Sequence, residues 1–294
     1  MDIETFYMTF RPFNRQTFNP TVIKHRNFDT HIATAKHCGT RWVKHMLGWA
    51  FSEYYDLKGP EHINDDSIIG HPKNKPLYPH IPQIAMTHSH PHYLMRIPGA
   101  YDSLGLPRYI VLVRNIKAIL VSIYEKSKGD HLDKKMGLQD VDFKTYLKGD
   151  VTGRTRIEDI WGLIQFFNAW GAVQAARPDK VSVIHYEDLT SNTCDTMLEI
   201  CRLIGIEDMK RETIERAVQN SSRKEMQKRL DPNESVYERA VSSKERNFME
   251  WYDEEAHRFI DDICTRHLRY TLGYKLPFSP QSLQRDQQPR KQSA

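Results

Sequence analysis

The run "RYIVLV" (Arg108–Val113) limits the fold more than any other stretch of the chain. After one arginine it is apolar throughout, with no polar alternation. A strand with one wet face alternates, whereas one that reads apolar at every position is covered on both faces, as in the middle of a parallel sheet.

The rest of the chain supplies partners for such a strand. "HIATA" (His31–Ala35), "QIAMT" (Gln83–Thr87) and "VSVIHY" (Val181–Tyr186) read as three more short strands. Helical stretches separate or follow them: "TRWVKHMLGWAFSEYY", "IKAILVSIYEKS", the long "IEDIWGLIQFFNAWGAVQAA", and "TCDTMLEICRLIGI". In the last, Met197, Ile200, Cys201 and Ile204 fall at helical spacing. Strand–helix alternation of this kind predicts an α/β fold, a central parallel sheet flanked by helices. With 294 residues and 39% hydrophobic content the chain suits one sizeable domain, placed at residues 1–276. The polar, aliphatic-poor segment 277–294 is expected to be a disordered tail. Residues 56–82 and 127–153 lack periodicity, and stretches this long are either walls of a ligand site or mobile surface insertions.

Net charge is +4, which suits an anionic ligand and falls far short of the basic footprint of a nucleic-acid binder. Four cysteines without a C-x-x-C pair do not make a disulfide framework. The N-terminus is acidic and aromatic, unlike a signal peptide, and no apolar run approaches the ~18 residues of a membrane span. A cytoplasmic protein with a small-molecule partner, rather than nucleic acid or a membrane, is the expectation. The oligomeric state has no sequence signal.

"TAKHCGTRWVKHML" (Thr34–Leu47) follows the first strand and opens the first helix. A strand, a glycine turn and a helix present free N–H groups and the positive dipole end to an anion. Gly39 allows close backbone approach, Thr40 offers a hydroxyl, Arg41 a guanidinium fork, and Lys36 and His37 sit at the turn. No Gly-Lys-Ser/Thr is present, so a Walker A loop is disfavoured. The spelling also suits a cysteine nucleophile loop centred on Cys38, or a turn that binds nothing. A second candidate is "RYIVLVRNIKAILVSIYEKS": Arg114 ends the buried strand and Ser122 lies eight residues on. At the carboxyl end of a central strand, the two can form a phosphate clamp.

Together these sites resemble the PAPS-dependent sulfotransferase family (PAPS is 3′-phosphoadenosine 5′-phosphosulfate). That family reads Lys-Ser-Gly-Thr-Thr-Trp at its phosphosulfate loop and Arg-Asn-Pro-x-Asp-x-x-x-Ser at its 3′-phosphate site. "HCGTRW" falls on the first and "RNIKAILVS" on the second, with the Arg-to-Ser spacing kept. "HYEDL" (His185–Leu189) is similar to the family's Tyr-Glu-Asp segment, and "SSRKEM" (Ser221–Met226) to its Thr-Ser-Phe-x-x-Met segment. All four keep their order over residues 28–275, and the ordered set is stronger than any member.

The resemblance implies a P-loop-like phosphosulfate-binding loop after the first core strand. Cys38, Gly39, Thr40 and Arg41 would lie on its 5′-phosphate side, and Trp42 would line the adenine pocket. Arg114 and Ser122 would bind the 3′-phosphate. Tyr186, Ser221, Arg223 and Met226 would lie near the base. Lys244 and Arg246 are candidates for further 3′-phosphate contacts, in a segment that departs strongly from the family pattern. Cys38 stands for serine, Ile116 for proline, and Arg223 for a stacking phenylalanine, which an arginine partly imitates. The family's catalytic lysine aligns with His37. Either His37 acts there as imidazolium or Lys36 reaches in, and the permanent charge and long stem of lysine favour Lys36 slightly.

Sulfuryl transfer is an in-line displacement that needs alignment, cations on the developing charge, and a base on the acceptor. The family's histidine after the second strand matches His88 in "MTHSHP", and an imidazole suits a base near neutral pH. Met86 replaces a family lysine there. His88, His90 and His92 would share a face in an extended strand, but nothing in the sequence completes a metal site, so no metal is expected. His90 and His92 are expected to be solvated. Asp65 and Asp66, in the first long loop, are either a solvated acidic turn or a partner for a cationic acceptor.

Two rivals remain. A cysteine phosphatase would use Cys38 as thiolate, but it needs an arginine six residues on, where Lys44 stands. A non-catalytic nucleotide-binding protein would keep the cradle without the chemistry. The reading adopted is a sulfotransferase moving a sulfuryl group from PAPS to a hydroxyl or amine of a small soluble acceptor, leaving 3′-phosphoadenosine 5′-phosphate (PAP).

Overall fold

A computed structural model describes residues 16, 24–127, 141–149, 158–230 and 247–278. Its sheet has four parallel strands, β1 (Thr30–Thr34), β2 (Ile84–Thr87), β3 (Arg108–Val113) and β4 (Val181–His185), in the order β2-β1-β3-β4. Every expected strand is present, with ends shifted by at most one residue. The apolar reading of β3 holds: Tyr109 to Val113 are all buried, between β1 and β4.

Helices cover both faces. They are α1 (Thr40–Tyr54), α2 (Pro98–Ser103), α3 (Ile116–Ser127), α4 (Phe143–Leu147), α5 (Ile160–Ala176), α6 (Tyr186–Ser191), α7 (Thr193–Ile204), α8 (Arg211–Asn220), α9 (Arg223–Lys228) and α10 (Glu254–His267). In α7 the apolar stripe Met197, Ile200, Cys201 and Ile204 is buried. The helix stops at Gly205 (φ 102°), where Ile206 N–H closes back on the carbonyl of Cys201 at 2.9 Å. That left-handed turn satisfies a terminal carbonyl and is one glycine enters without strain. Helix α5 buries residues around most of its circumference, Trp161, Phe167 and Trp170 among them, so it is a core element rather than a surface one.

The packed chain runs past the expected boundary. Phe278 is 1% exposed, and its carbonyl accepts from Lys117 Nζ of α3 at 2.8 Å. Asp261 of α10 pairs with the same buried ammonium at 2.9 Å. The remainder of the expected tail lies outside the described residues, as do parts of the 127–153 stretch. Residues 56–82 contain no helix and touch the sheet through one bridge, Gly70 to Ala85. No helix among the described residues is long and apolar enough to cross a membrane.

Candidate active site

The register of the sheet assembles the site. Ala33 pairs with Thr87, Thr34 with Leu112, and Val113 with His185, so the strands end nearly level. His88, Arg114 and Tyr186, each the residue after its strand, therefore surround the loop leaving β1. The chain order changes direction at β1 and β3, the position where open α/β sheets bind ligands.

That loop is sharply turned, with His37 at φ 62° and Gly39 at φ 83°. His37 is in a conformation that side chains seldom adopt, and two left-handed residues so close together send neighbouring side chains to opposite sides. Lys36 points toward Glu158, at 3.7 Å, while His37 Nδ1 meets Ser122 Oγ at 3.1 Å. Gly39 is needed for packing as well as for the turn, since a Cβ there would fall 2.8 Å from the Tyr186 ring. The first bond of α1 runs from Val43 N–H to the carbonyl of Gly39. The N–H groups of Thr40, Arg41 and Trp42 thus have no acceptor within the helix, and its positive dipole end faces the loop.

Arg114 clamps the far side. Its Nη1 donates to the carbonyl of His37 at 3.2 Å, and its guanidinium stacks over Tyr186 at 4.5 Å. Burial, followed by the charges of Lys126, Arg114, His88 and Lys36, lowers the His37 pKa to about 3. His37 is therefore neutral and joins the Arg114–Ser122 clamp, so the imidazolium alternative for its role loses its charge.

A third group lies along α1. Trp42 Nε1 donates to the carbonyl of Ser221 at 3.1 Å. His45 Nδ1 lies 2.8 Å from Ser221 Oγ, and Trp49 Nε1 lies 3.3 Å from His45 Nε2. An indole N–H can only donate, so Nε2 accepts and the proton sits on Nδ1, donating to Ser221. Burial and then Arg229 lower the His45 pKa to about 4, which keeps it neutral. His45 has no counterpart in the sequence reading, although Trp42, His45 and Trp49 stand three and seven residues apart, on one helical face. Met226 of α9 is buried, whereas Arg223 is exposed, and Arg41 is half-buried. Lys244 and Arg246 lie outside the described residues.

The other side of the loop faces a small cavity lined by Thr34, Lys36, His88, His90, Glu158 and Phe166, among others. His88 Nδ1 is 2.9 Å from both the carbonyl and the hydroxyl of Thr34. A carbonyl only accepts, so the proton is assigned to Nδ1, and Nε2 keeps its lone pair. The ring has an exposed edge, yet burial of the rest lowers its pKa, against the raising effect of the Thr34 bond. Of its two neighbours, His90 is not solvated as expected, while His92 is half-exposed. His90 is buried edge-on to Phe166, and His92 caps the short turn Tyr93–Arg96 by accepting from Leu94 N–H. The strand ends at Thr87, so the three histidines do not share a strand face. Among the described residues no group of His, Cys, Asp or Glu is placed to hold a metal.

The phosphatase reading fails here. Cys38 is fully buried, and burial pushes its thiol far above the usual range despite Arg114. A thiol held this way is not a nucleophile. Lys44, in place of the required arginine, is buried on α1, pairs with Asp66 and donates to the carbonyl of Asn64 at 3.0 Å. That pairing also takes up Asp66, while Asp65 accepts from the N–H groups of Ser67 and Glu61 within its own loop. A larger open cavity lies between α1 and the α8–α9 corner, lined by Trp49, Glu53, Arg216 and Ser222. It includes none of the loop, Arg114 or His88, so size does not mark the site.

A family model for the sulfotransferase domain matches residues 28–270. The chain belongs to the sulfotransferase domain family. Solved sulfotransferase-type structures share the fold at low identity. One is mouse sulfotransferase SULT7A1 complexed with PAP, 15% identical, TM-score 0.50, covering 86% of this chain and 91% of that one. Another is retinol dehydratase in complex with androsterone and the inactive cofactor PAP, 14% identical, TM-score 0.54, covering 88% and 86%. No curated protein matches the chain. The sulfotransferase is thus an α/β protein whose loop, clamp and histidine gather at one end of the sheet.

Proposed function

We propose that this sulfotransferase moves a sulfuryl group from PAPS to a hydroxyl or amine of a small acceptor. Family membership supports the reaction, and PAP in both related complexes supports the donor. The residues present fit such a donor. The N–H groups at the start of α1, Thr40 to Trp42, and the Thr40 hydroxyl suit the 5′-phosphosulfate. Arg114 and Ser122 suit the 3′-phosphate, and Trp42, Tyr186, Ser221 and Met226 the adenine. Lys36 takes the role at the leaving phosphate, because its side chain is 43% exposed and on the acceptor side, where His37 is not.

The observation that carries the chemistry is the contact between His88 and Thr34. With Nδ1 donating to the carbonyl, Nε2 is the only nitrogen able to take a proton. It accepts the acceptor's proton as the acceptor atom bonds to sulfur and the sulfur–oxygen bond to the leaving phosphate breaks. Lys36 meets the charge that develops on that oxygen.

The test is mass spectrometry of hydroxyl and amine acceptors incubated with protein and PAPS, seeking the gain of one SO3. His88→Ala should lower turnover by at least ~10²-fold, with thermal stabilisation by PAP unchanged. Stabilisation by PAP with no product from any acceptor would mean a nucleotide-binding protein without transfer.

A further inference from the structure

The larger cavity, away from the loop, is built from the same two walls as the cradle. Its volume is about 710 Å³, within the range of small-molecule sites. Helix α1 gives Trp42 and His45 to the cradle, and Trp49, Ser52 and Asp56 to the cavity. These five stand at steps of three and four, along one face of the helix. The α8–α9 corner divides adjacent residues in the same way. Ser221 is buried against His45, and Ser222 lines the cavity. The bond from Trp49 Nε1 to His45 Nε2 joins the two sides.

The lining selects among ligands. Trp49 is half-exposed and fixed in place: Arg229 stacks over its ring at 4.6 Å, and a Cβ at Gly59 would fall 2.4 Å from it. Most of the charge is already compensated. Glu53 pairs with Arg216 and accepts from the Thr213 hydroxyl at 2.6 Å, and Glu225 pairs with Lys228 at 2.7 Å. The Gln219 and Asn220 amides, the Ser222 hydroxyl and the Asp56 carboxylate make no side-chain hydrogen bond among the described residues. Ser222 stands at the N-cap of α9, yet its hydroxyl caps nothing. Asp56 is held at φ 53°, at the left-handed position ending α1, where Leu57 N–H closes on the carbonyl of Ser52 at 2.7 Å. Glycine enters such a turn more readily, so the turn itself does not call for a carboxylate. Apolar side chains are confined to Leu57 and Trp49. An apolar ligand gains little there, and a strongly charged one meets charges already paired. Hydroxyl groups, which donate and accept at once, match the mixed amide, hydroxyl and carboxylate set. The C–H face of a sugar ring matches an indole.

We propose that this cavity binds an uncharged saccharide, and that its occupancy is felt in the cradle through Trp49, His45 and Ser221. Saccharide binding does not depend on the donor reading, whereas the effect on the nucleotide does. A saccharide against Trp49 and Ser222, and a nucleotide against Trp42 and Ser221, order the same helix face and the same corner. Each therefore favours the other, by one factor in both directions.

Isothermal titration with cellobiose, lactose and N-acetylglucosamine, and with spermidine and inorganic sulfate as charged comparators, tests the cavity. At least one saccharide should bind with a Kd of about 1 mM or tighter, ahead of both ions. Asp56→Gly should weaken it by about tenfold, as for loss of a hydrogen bond to a charged group, without lowering the melting temperature. Gln219→Ala should weaken it less. Saturating PAP should tighten the saccharide by about fivefold or more, saturating saccharide should tighten PAP equally, and His45→Gln should return the factor to one. No saturable binding by any of the three saccharides overturns the proposal, as does tighter binding of spermidine or sulfate. Saccharide affinity untouched by both cavity variants also overturns it, placing the sugar elsewhere. Binding at the cavity without mutual effect overturns the link to the cradle. If PAP does not bind, the donor reading fails, and the saccharide titration still decides the cavity.

Discussion

The two sides of the loop after β1 are built differently. On the proposed nucleotide side the polar groups are already tied to one another: His37 to Ser122, Arg114 to His37 and Tyr186, Trp42 and His45 to Ser221, and Trp49 to His45. On the proposed acceptor side, Lys36 is half-exposed beside Glu158, and His88 is anchored by one nitrogen. One side is a rigid cradle backed by three strands. The other has a histidine fixed by the sheet beside a half-exposed lysine. A shared donor asks for the first, and a variable acceptor allows the second.

Exchanging the adjacent residues that face the two sides should break the comparison most sharply. Lys36→Met should lower turnover by about 10²-fold or more, as for loss of one group stabilising developing charge, with PAP binding nearly unchanged. His37→Ala should chiefly weaken PAP binding, through the clamp. Turnover and PAP titration on both variants check this, and the opposite pattern would assign the leaving-group role to His37.

A smaller effect should come from the middle of the cradle. His45→Ala leaves the Trp49 indole N–H and the Ser221 hydroxyl without their buried partner, a loss of about 1–3 kcal/mol. Urea unfolding should show it as a lower midpoint, and PAP affinity should fall with it. Unchanged stability would mean that the Trp42–Ser221–His45–Trp49 chain is not formed.

A further effect concerns pH and involves rings both inside and outside the cradle. His25 stacks at 3.8 Å on His31 of β1, and burial, then neighbouring charge, lowers their pKa values to about 4 and about 2. With His37 and His45 they are neutral in the folded protein, while an unfolded histidine takes a proton below about 6.5. The unfolded chain then binds more protons, so this stabilisation is present above pH 6.5 and declines as pH falls toward 4. Melting temperature should drop between pH 7.5 and 5.5, and a rise would contradict the burial of these rings.

The fold was largely legible because its signal is local. An unbroken apolar run such as Arg108–Val113 can only be a covered strand, and each strand leads on toward a helical stretch. Helices α8 and α10 were missed because their sequences are dominated by charge and bury only a narrow stripe, Ile214 and Ala217 in one and Ile260, Ile263 and Cys264 in the other. In the site, the spelling around Gly39 and Arg114 pointed to the residues that the sheet brings together. The parting of Lys36 from His37 was not legible, because nothing in a histidine announces a positive φ. His45 could have been found from its spacing between Trp42 and Trp49.

The central claim is a cradle made for a nucleotide with a 3′-phosphate, held by Arg114 and Ser122. The most direct measurement is the melting temperature with PAP and with ATP at equal concentration, for the native chain and Arg114→Ala. A ligand that binds only the folded state raises it by mass action. PAP should stabilise the native protein well beyond ATP, and Arg114→Ala should remove most of the difference. Equal stabilisation by the two nucleotides, or a difference that persists without Arg114, would contradict the account.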